Sequence, residues 1–132
     1  MADPMAVKVV VVGKGSVLIE VGKDGVRLPL FLCRRRELPQ NTAKRVLKEV
    51  FGLETNRVES LPIISRIAVE SIPEEVRSTW PKGAKTIPCI SFAYRVENVA
   101  SVKKMMAFEW MERQNWQRLP DSADRMVLDS LS

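Results

Sequence analysis

The 26 residues from Leu28 to Leu53, LPLFLCRRRELPQNTAKRVLKEVFGL, decide the fold. They open as the end of a strand: Val26 to Leu32 alternates, and Pro29 interrupts it as prolines do at an edge or a strand end. Arg34 to Gln40 is polar and reads as a loop. Asn41 or Thr42 then supplies a cap for a helix predicted to run to about Phe51, where Gly52 stops it. Ala43, Val46, Leu47, Val50 and Phe51 recur at helical spacing and form one broad apolar stripe. Arg34, Arg35 and Arg36 put three guanidinium groups side by side in the loop. A solvated loop and a phosphate contact both fit this run, since arginine's planar fork suits phosphate and adjacent like charges repel.

Outward from this segment, Val7 to Val12 is a near-continuous run of β-branched residues that reads as a strand buried on both faces. Gly13-Lys14-Gly15-Ser16 follows, and Val17 to Val21 reads as the returning strand. The two glycines resemble the start of a phosphate-binding loop, but no third glycine, Lys-Ser/Thr pair or helix follows, so a hairpin is expected. Gly22 to Gly25 is a second turn. On the C-terminal side, Arg57 to Val69 is strand-rich around Pro62, and Ser71 to Lys85, with Pro73, Pro81 and Gly83, reads as a long loop. Ile87 to Val96 and Ala107 to Met111 read as strands. Asp121 or Ser122 caps a last helix with Met126, Val127, Leu128 and Leu131 as its apolar side. The order is strands, helix, strands, helix: an α+β domain.

At 132 residues the chain is sized for one domain, 1–132, with one core. Hydrophobic residues at 45% against 28% charged ones suit a globular rather than a disordered chain. No apolar run approaches the roughly 20 residues that span a bilayer, so no membrane partner is expected. The start, Met1-Ala2-Asp3-Pro4, lacks the basic and apolar regions of a secretory leader. Cys33 and Cys89 are too few for a disulfide framework, so a reduced, cytoplasmic compartment is expected. The sequence contains no histidine, which excludes serine–histidine and cysteine–histidine nucleophiles and metal sites built on imidazole. The net charge of +5 favours polyanionic partners. Of the basic clusters, Lys103-Lys104 reads as solvated.

The segment Leu28 to Leu53 resembles the Nudix box of the Nudix hydrolase family, in the register Leu-Pro-Gly-Gly, five residues, Glu, seven residues, Arg-Glu-apolar-any-Glu-Glu-any-Gly-apolar. Leu28-Pro29 take the first two places, and Leu30-Phe31 stand where the glycines would. After five intervening residues, Leu32 to Arg36, Glu37 occupies the first glutamate position. After seven more, Leu38 to Lys44, come Arg45, Val46, Leu47, Lys48, Glu49, Val50, Phe51, Gly52 and Leu53, with no gap. The preceding hairpin, and Phe108-Glu109-Trp110 followed by Trp116 and Leu119-Pro120, are similar to the family's other landmarks. The resemblance implies a Nudix-like mixed β-sheet flanked by helices, an α/β/α sandwich.

The box is degenerate. In active members three glutamates on one helix face hold magnesium or a similar ion, which polarises a diphosphate linkage and activates water. Two of those three positions are Val46 and Val50, and four residues apart they share a face. Glu49 alone remains of the trio, a weak metal candidate, with Glu37 upstream. Phe31, Val46 and Val50 together would repack the vacated site, as core or as an interaction patch, each worth roughly 1.5–3 kcal/mol if fully buried. Arg45 is expected to brace Glu37 or Glu49, or to meet phosphate with Arg34, Arg35 and Arg36. Glu109 is the reserve catalytic carboxylate, and Glu74-Glu75 after Pro73 read as a helix start. Trp80 reads as packing before base stacking, Phe92 and Tyr94 as core or cleft wall, and Cys33 as inert.

Two functions follow from the resemblance. The first is a Nudix-fold protein without hydrolysis and without a cofactor, binding a nucleotide or RNA, or docking a protein partner or a second copy of itself. The alternative is a divergent hydrolase of nucleoside diphosphate-linked substrates, using Glu37, Glu49 and Glu109 with Mg2+ or Mn2+.

Overall fold

The computed structural model describes residues 5–22, 25–61, 68–71, 86–102 and 107–131. Trp80, Glu74-Glu75, the turn residues 23–24 and Lys103-Lys104 lie outside them. The described strands are β1 (Ala6–Gly13), β2 (Ser16–Gly22), β3 (Gly25–Arg27), β4 (Leu30–Leu32), β5 (Glu59–Leu61), β6 (Ala68–Ser71), β7 (Thr86–Arg95) and β8 (Phe108–Glu112). Two α-helices, α1 (Pro39–Glu49) and α2 (Ser122–Asp129), accompany them, with 3-10 turns at Thr55–Arg57, Val99–Ser101 and Arg113–Arg118.

All eight strands join one mixed sheet, ordered β3-β2-β1-β7-β5 along its main path. β4 adds to β1, β6 to β7 and β8 to β2. β1 and β7 run parallel from Ala6↔Cys89 to Val12↔Arg95 and form the spine. β1 is buried on both faces, as its valine run predicts. Alternate side chains point to opposite sides of a strand, so Val7, Val9 and Val11 enter the core under α1, while Val10 enters the one under α2. The hairpin between β1 and β2 pairs Gly13 with Ser16 across Lys14-Gly15. Both turn residues hold positive φ, 49° and 77°, the conformation that matches the twist of the flanking strands. Gly13 also has no room for a side chain, because a Cβ there would lie 2.6 Å from Val99 Cγ1.

α1 begins earlier than the cap signals predict. Leu38 is its N-cap and offers no side-chain hydrogen bond, while Pro39 opens the first turn, where a missing N–H costs nothing. Thr42 is buried inside the helix instead of capping it. The far end stops where expected: Gly52 holds φ 66°, and the Leu53 N–H donates to the Leu47 carbonyl at 2.8 Å. α2 is capped by Asp121, whose side chain accepts from the Ala123 N–H at 2.8 Å. Its apolar side is narrower than predicted. Leu128 is buried and Val127 and Leu131 partly so, but Met126 faces solvent, and Asp124 takes an inward position.

The helices thus cover opposite faces of the sheet, an α+β architecture with a mixed sheet flanked by helices. Among the described residues no helix is long and apolar enough to cross a membrane.

Candidate functional site

The loop from Cys33 to Leu38 and the helix α1 hold most of the residues singled out by the sequence. The loop turns back on itself through Arg36, which holds φ 66°, and the Glu37 N–H donates to the Arg34 carbonyl at 3.0 Å. This delivers the Glu37 carboxylate to the side of α1. Arg45 donates to it with two nitrogens, Nε to Oε2 at 2.8 Å and Nη2 to Oε1 at 3.0 Å. The Thr42 hydroxyl donates to Oε1 at 2.7 Å and the Arg34 backbone N–H at 3.0 Å. Four donors favour the ionised form. The Arg45 hydrogen bond leads, Arg34 and Thr42 add to it, and together they hold the Glu37 carboxyl down to about 2. Arg45 Nη2 also reaches the Leu32 carbonyl at 3.3 Å. The pair therefore staples β4, the loop and α1 together, and Arg45 acts as a brace.

Glu49 lies one turn further on, exposed, with Arg34 and Arg45 each at 3.6 Å from its Oε2. It shares this rim with Glu37 through Arg45 and Arg34, each of which touches both carboxylates. Glu109 is not brought to them. β8 pairs with β2 in the register Leu18↔Trp110 and Ile19↔Glu109. Leu18 and Trp110 belong to the core under α1, whereas Ile19 belongs to the core under α2. Because facing residues in a ladder share a side, Glu109 stands on the sheet face opposite α1.

Where the resemblance places the two further helix carboxylates, the side chains are apolar and turned inward. Val46 is 1% exposed and lies in the core with Val7, Leu47 and Phe51. It therefore belongs to the interior and offers nothing to an interaction patch. Val50 and Phe31 are half-buried against the same core. Phe31 meets Phe51 edge-on at 5.9 Å between ring centres and Phe108 at 6.3 Å, and Phe51 meets Phe108 at 5.3 Å. This aromatic trio ties β4, the end of α1 and β8 into one packed unit. Phe92 and Tyr94 pack into the same core.

Arg34, Arg35 and Arg36 are all exposed, and Arg34 alone of the three makes an ion pair among the described residues. Cys33 is half-buried, and burial pushes its thiol up, away from the thiolate form. At the other end of α1 a cleft of about 840 Å3 opens between Gly52–Glu59 and Arg95–Ser101, with Arg57 and Arg95 beside Glu54, Glu59 and Glu97. Of the box residues it takes only Gly52 and Leu53, and none of the candidate catalytic, phosphate-binding or patch residues lines it. Thr42 is the contributor that sequence reasoning missed, because a threonine near a helix start signals a cap before it signals a donor to a loop carboxylate. Among the described residues no group of three or more acidic, cysteine or histidine side chains stands close enough to hold a metal ion.

The fold has close counterparts among solved structures. The dihydroneopterin triphosphate pyrophosphohydrolase of E. coli is similar with a TM-score of 0.75 at 13% identity, over 95% of this chain and 92% of that one. An Ap4A hydrolase of C. elegans has a TM-score of 0.66 at 14% identity, over 94% and 91%. A Nudix family hydrolase of Clostridium perfringens has 0.63 at 15%, over 100% of both chains. No family model matches the sequence, and no curated protein does. The chain has a Nudix-like fold, and at these identities the likeness concerns the fold alone.

Proposed function

We propose that the chain is a Nudix-fold binding module that has given up metal-dependent hydrolysis and takes a phosphate-bearing ligand, a nucleotide or an RNA end, on the loop of Arg34, Arg35 and Arg36. The observation that carries this reading is Val46, buried where the box places a carboxylate. A divalent cation that active members hold on three helix glutamates meets here Glu49 alone. Glu37 is occupied by Arg45, and Glu109 stands behind the sheet. Raising a second carboxylate to the cation would require breaking the Glu37–Arg45 pair. The donor set therefore does not fit the family's ion.

The basic loop supports an anionic ligand. Three adjacent arginines are exposed, and their guanidinium forks match phosphate oxygens. The names of two similar structures, a dihydroneopterin triphosphate pyrophosphohydrolase and an Ap4A hydrolase, point to nucleotide-like phosphate compounds as ligands of this fold. Protein docking through Phe31, Val46 and Val50 is the weaker reading, since Val46 is inside.

The test is a panel of nucleoside diphosphate-linked compounds with Mg2+ or Mn2+, assayed for hydrolysis and, separately, for binding. No turnover above background is expected, with binding that weakens when Arg35 and Arg36 are changed to Gln. Turnover that disappears on Glu49→Gln overturns the proposal and favours the divergent hydrolase.

A further inference from the structure

The outer side of α1 carries charge that the site above does not use. Lys44 and Lys48 are exposed four residues apart, so their ammonium groups share one face of the helix. Like charges at this spacing repel across the turn, and among the described residues no carboxylate pairs with either lysine. Gln40 and Asn41 occupy the turn before, and the first turn contains no acid. Neither lysine makes an ion pair among the described residues, and nor do Arg35 and Arg36. Lys48 has a structural use, since a cation in the last turn complements the helix dipole. Lys44, mid-helix, has none. Arg36 adds a second cost, a side chain held in the left-handed region. Arg34 reaches along the helix to Glu49, so the loop and the helix form one continuous surface.

From this we infer that the loop and the outer face of α1 form a track for the phosphodiester backbone of a nucleic-acid strand. Arg35 and Arg36 meet phosphates at one end, and Lys44 and Lys48 carry the strand onward. The inference rests on the ligand class proposed above and extends it from a nucleotide or an RNA end to a strand. Lys44 and Lys48 are about 6 Å apart along the helix axis, a step suited to successive phosphates. The exposed residues on this face are Gln40, Asn41, Lys44 and Lys48, with no aromatic ring among them, and Glu49 borders it on the side of the rim. Bases therefore find no stacking platform, and recognition goes to the backbone without sequence preference. A lipid surface fits less well, because insertion needs an apolar face, and on this segment Leu38 is the single large apolar side chain in the open.

The experiment is fluorescence anisotropy of a labelled oligouridylate, and in a second arm a labelled DNA duplex, titrated with the full chain at several salt concentrations. Four cations on a single strand predict a slope of log K against log salt of about −3, or about fifty-fold weaker binding for a fourfold rise in salt. The variant K44Q/K48Q is expected to bring the slope to about −1.5, with its thermal midpoint nearly unchanged because relief of the Lys44–Lys48 repulsion offsets the loss of a cation at the helix end. R35Q/R36Q is expected to do the same. Binding of either probe with this pattern supports the track, and the tighter probe identifies the kind of strand. A slope unchanged in K44Q/K48Q overturns it, as does tighter binding to vesicles of anionic lipid than to both oligonucleotides. A nucleotide bound equally by wild type and K44Q/K48Q, with no strand binding, removes the track and leaves the proposed function standing. Turnover that depends on Glu49 removes the proposed function whatever the titration gives.

Discussion

α1 and α2 cover opposite faces of the same sheet and treat charge in opposite ways. Under α2 a full ion pair is buried. Lys8 on β1 reaches Asp124 on α2, both 3% exposed or less. Asp124 also accepts the Leu28 N–H at 3.1 Å, and Asp121 stands 3.5 Å from the lysine. Each charge inside is surrounded by partners, as burial in a low dielectric demands. Under α1 the described interior is uncharged, with Thr42 and Tyr94 as its polar side chains. The ionic network of Glu37, Arg45, Glu49 and Arg34 runs along the rim, and Val46 and the phenylalanine trio fill the space behind it. The difference teaches that this chain admits charge to its core where the fold itself supplies the counter-ion. Carboxylates beneath α1 would depend on an ion from outside, and the sequence has valine there.

The largest effect that can break this comparison is on the α2 side. Asp124→Ala removes the nearest counter-ion of the buried Lys8, and is expected to cost about 3–5 kcal/mol in urea unfolding. The double variant Lys8→Met/Asp124→Asn keeps an acceptor for the Leu28 N–H and is expected to recover most of that loss. A cost below about 1 kcal/mol for Asp124→Ala means that the pair behaves as a surface pair and the contrast fails. On the α1 side, Val46→Glu restores the box residue into a position 1% exposed. The expected cost is about 2–4 kcal/mol, with no recovery of the thermal midpoint on adding millimolar Mg2+ or Mn2+. Recovery would reveal a cation site waiting beneath α1.

The rim pair predicts a smaller, pH-dependent effect. The folded Glu37 carboxyl lies at about 2, below its ordinary 4.5. Its stabilisation is therefore complete above about pH 4.5 and is lost as the pH falls through about 2. Glu37→Gln is expected to cost about 1–2 kcal/mol at neutral pH, because the pair sits at the surface and is screened, and to flatten that part of the acid unfolding profile. An unaltered profile removes Glu37 as the staple of the loop. The smallest effect sharpens the contrast between the two helix starts. Leu38→Ser gives α1 the side-chain cap that Asp121 gives α2, and calorimetry should register a gain of about 0.5–1 kcal/mol.

The Nudix-like fold was legible in the spacing of one segment. Glu37 and Arg45 are eight residues apart, and the loop and helix between them bring carboxylate and guanidinium together as the box register predicts. The hairpin at Lys14-Gly15 and the stop at Gly52 were equally legible, since both depend on local backbone preferences. The start of α1 was not, because Pro39 at the first turn competes with the stronger cap signals of Asn41 and Thr42. Lys8 was hidden within a valine run, where nothing local announces an acid 116 residues away.

By itself the sequence determined which side chains share a face within an element: Val46 with Val50, Lys44 with Lys48, Val7 with Val9 and Val11. These follow from helix and strand periods, which are properties of adjacent residues. Only the tertiary structure decided which of those faces look inward, that Glu109 stands behind the sheet, and that Lys8 meets Asp124. Such outcomes depend on register and packing between segments far apart in the chain, and a one-residue slip in any ladder reverses them.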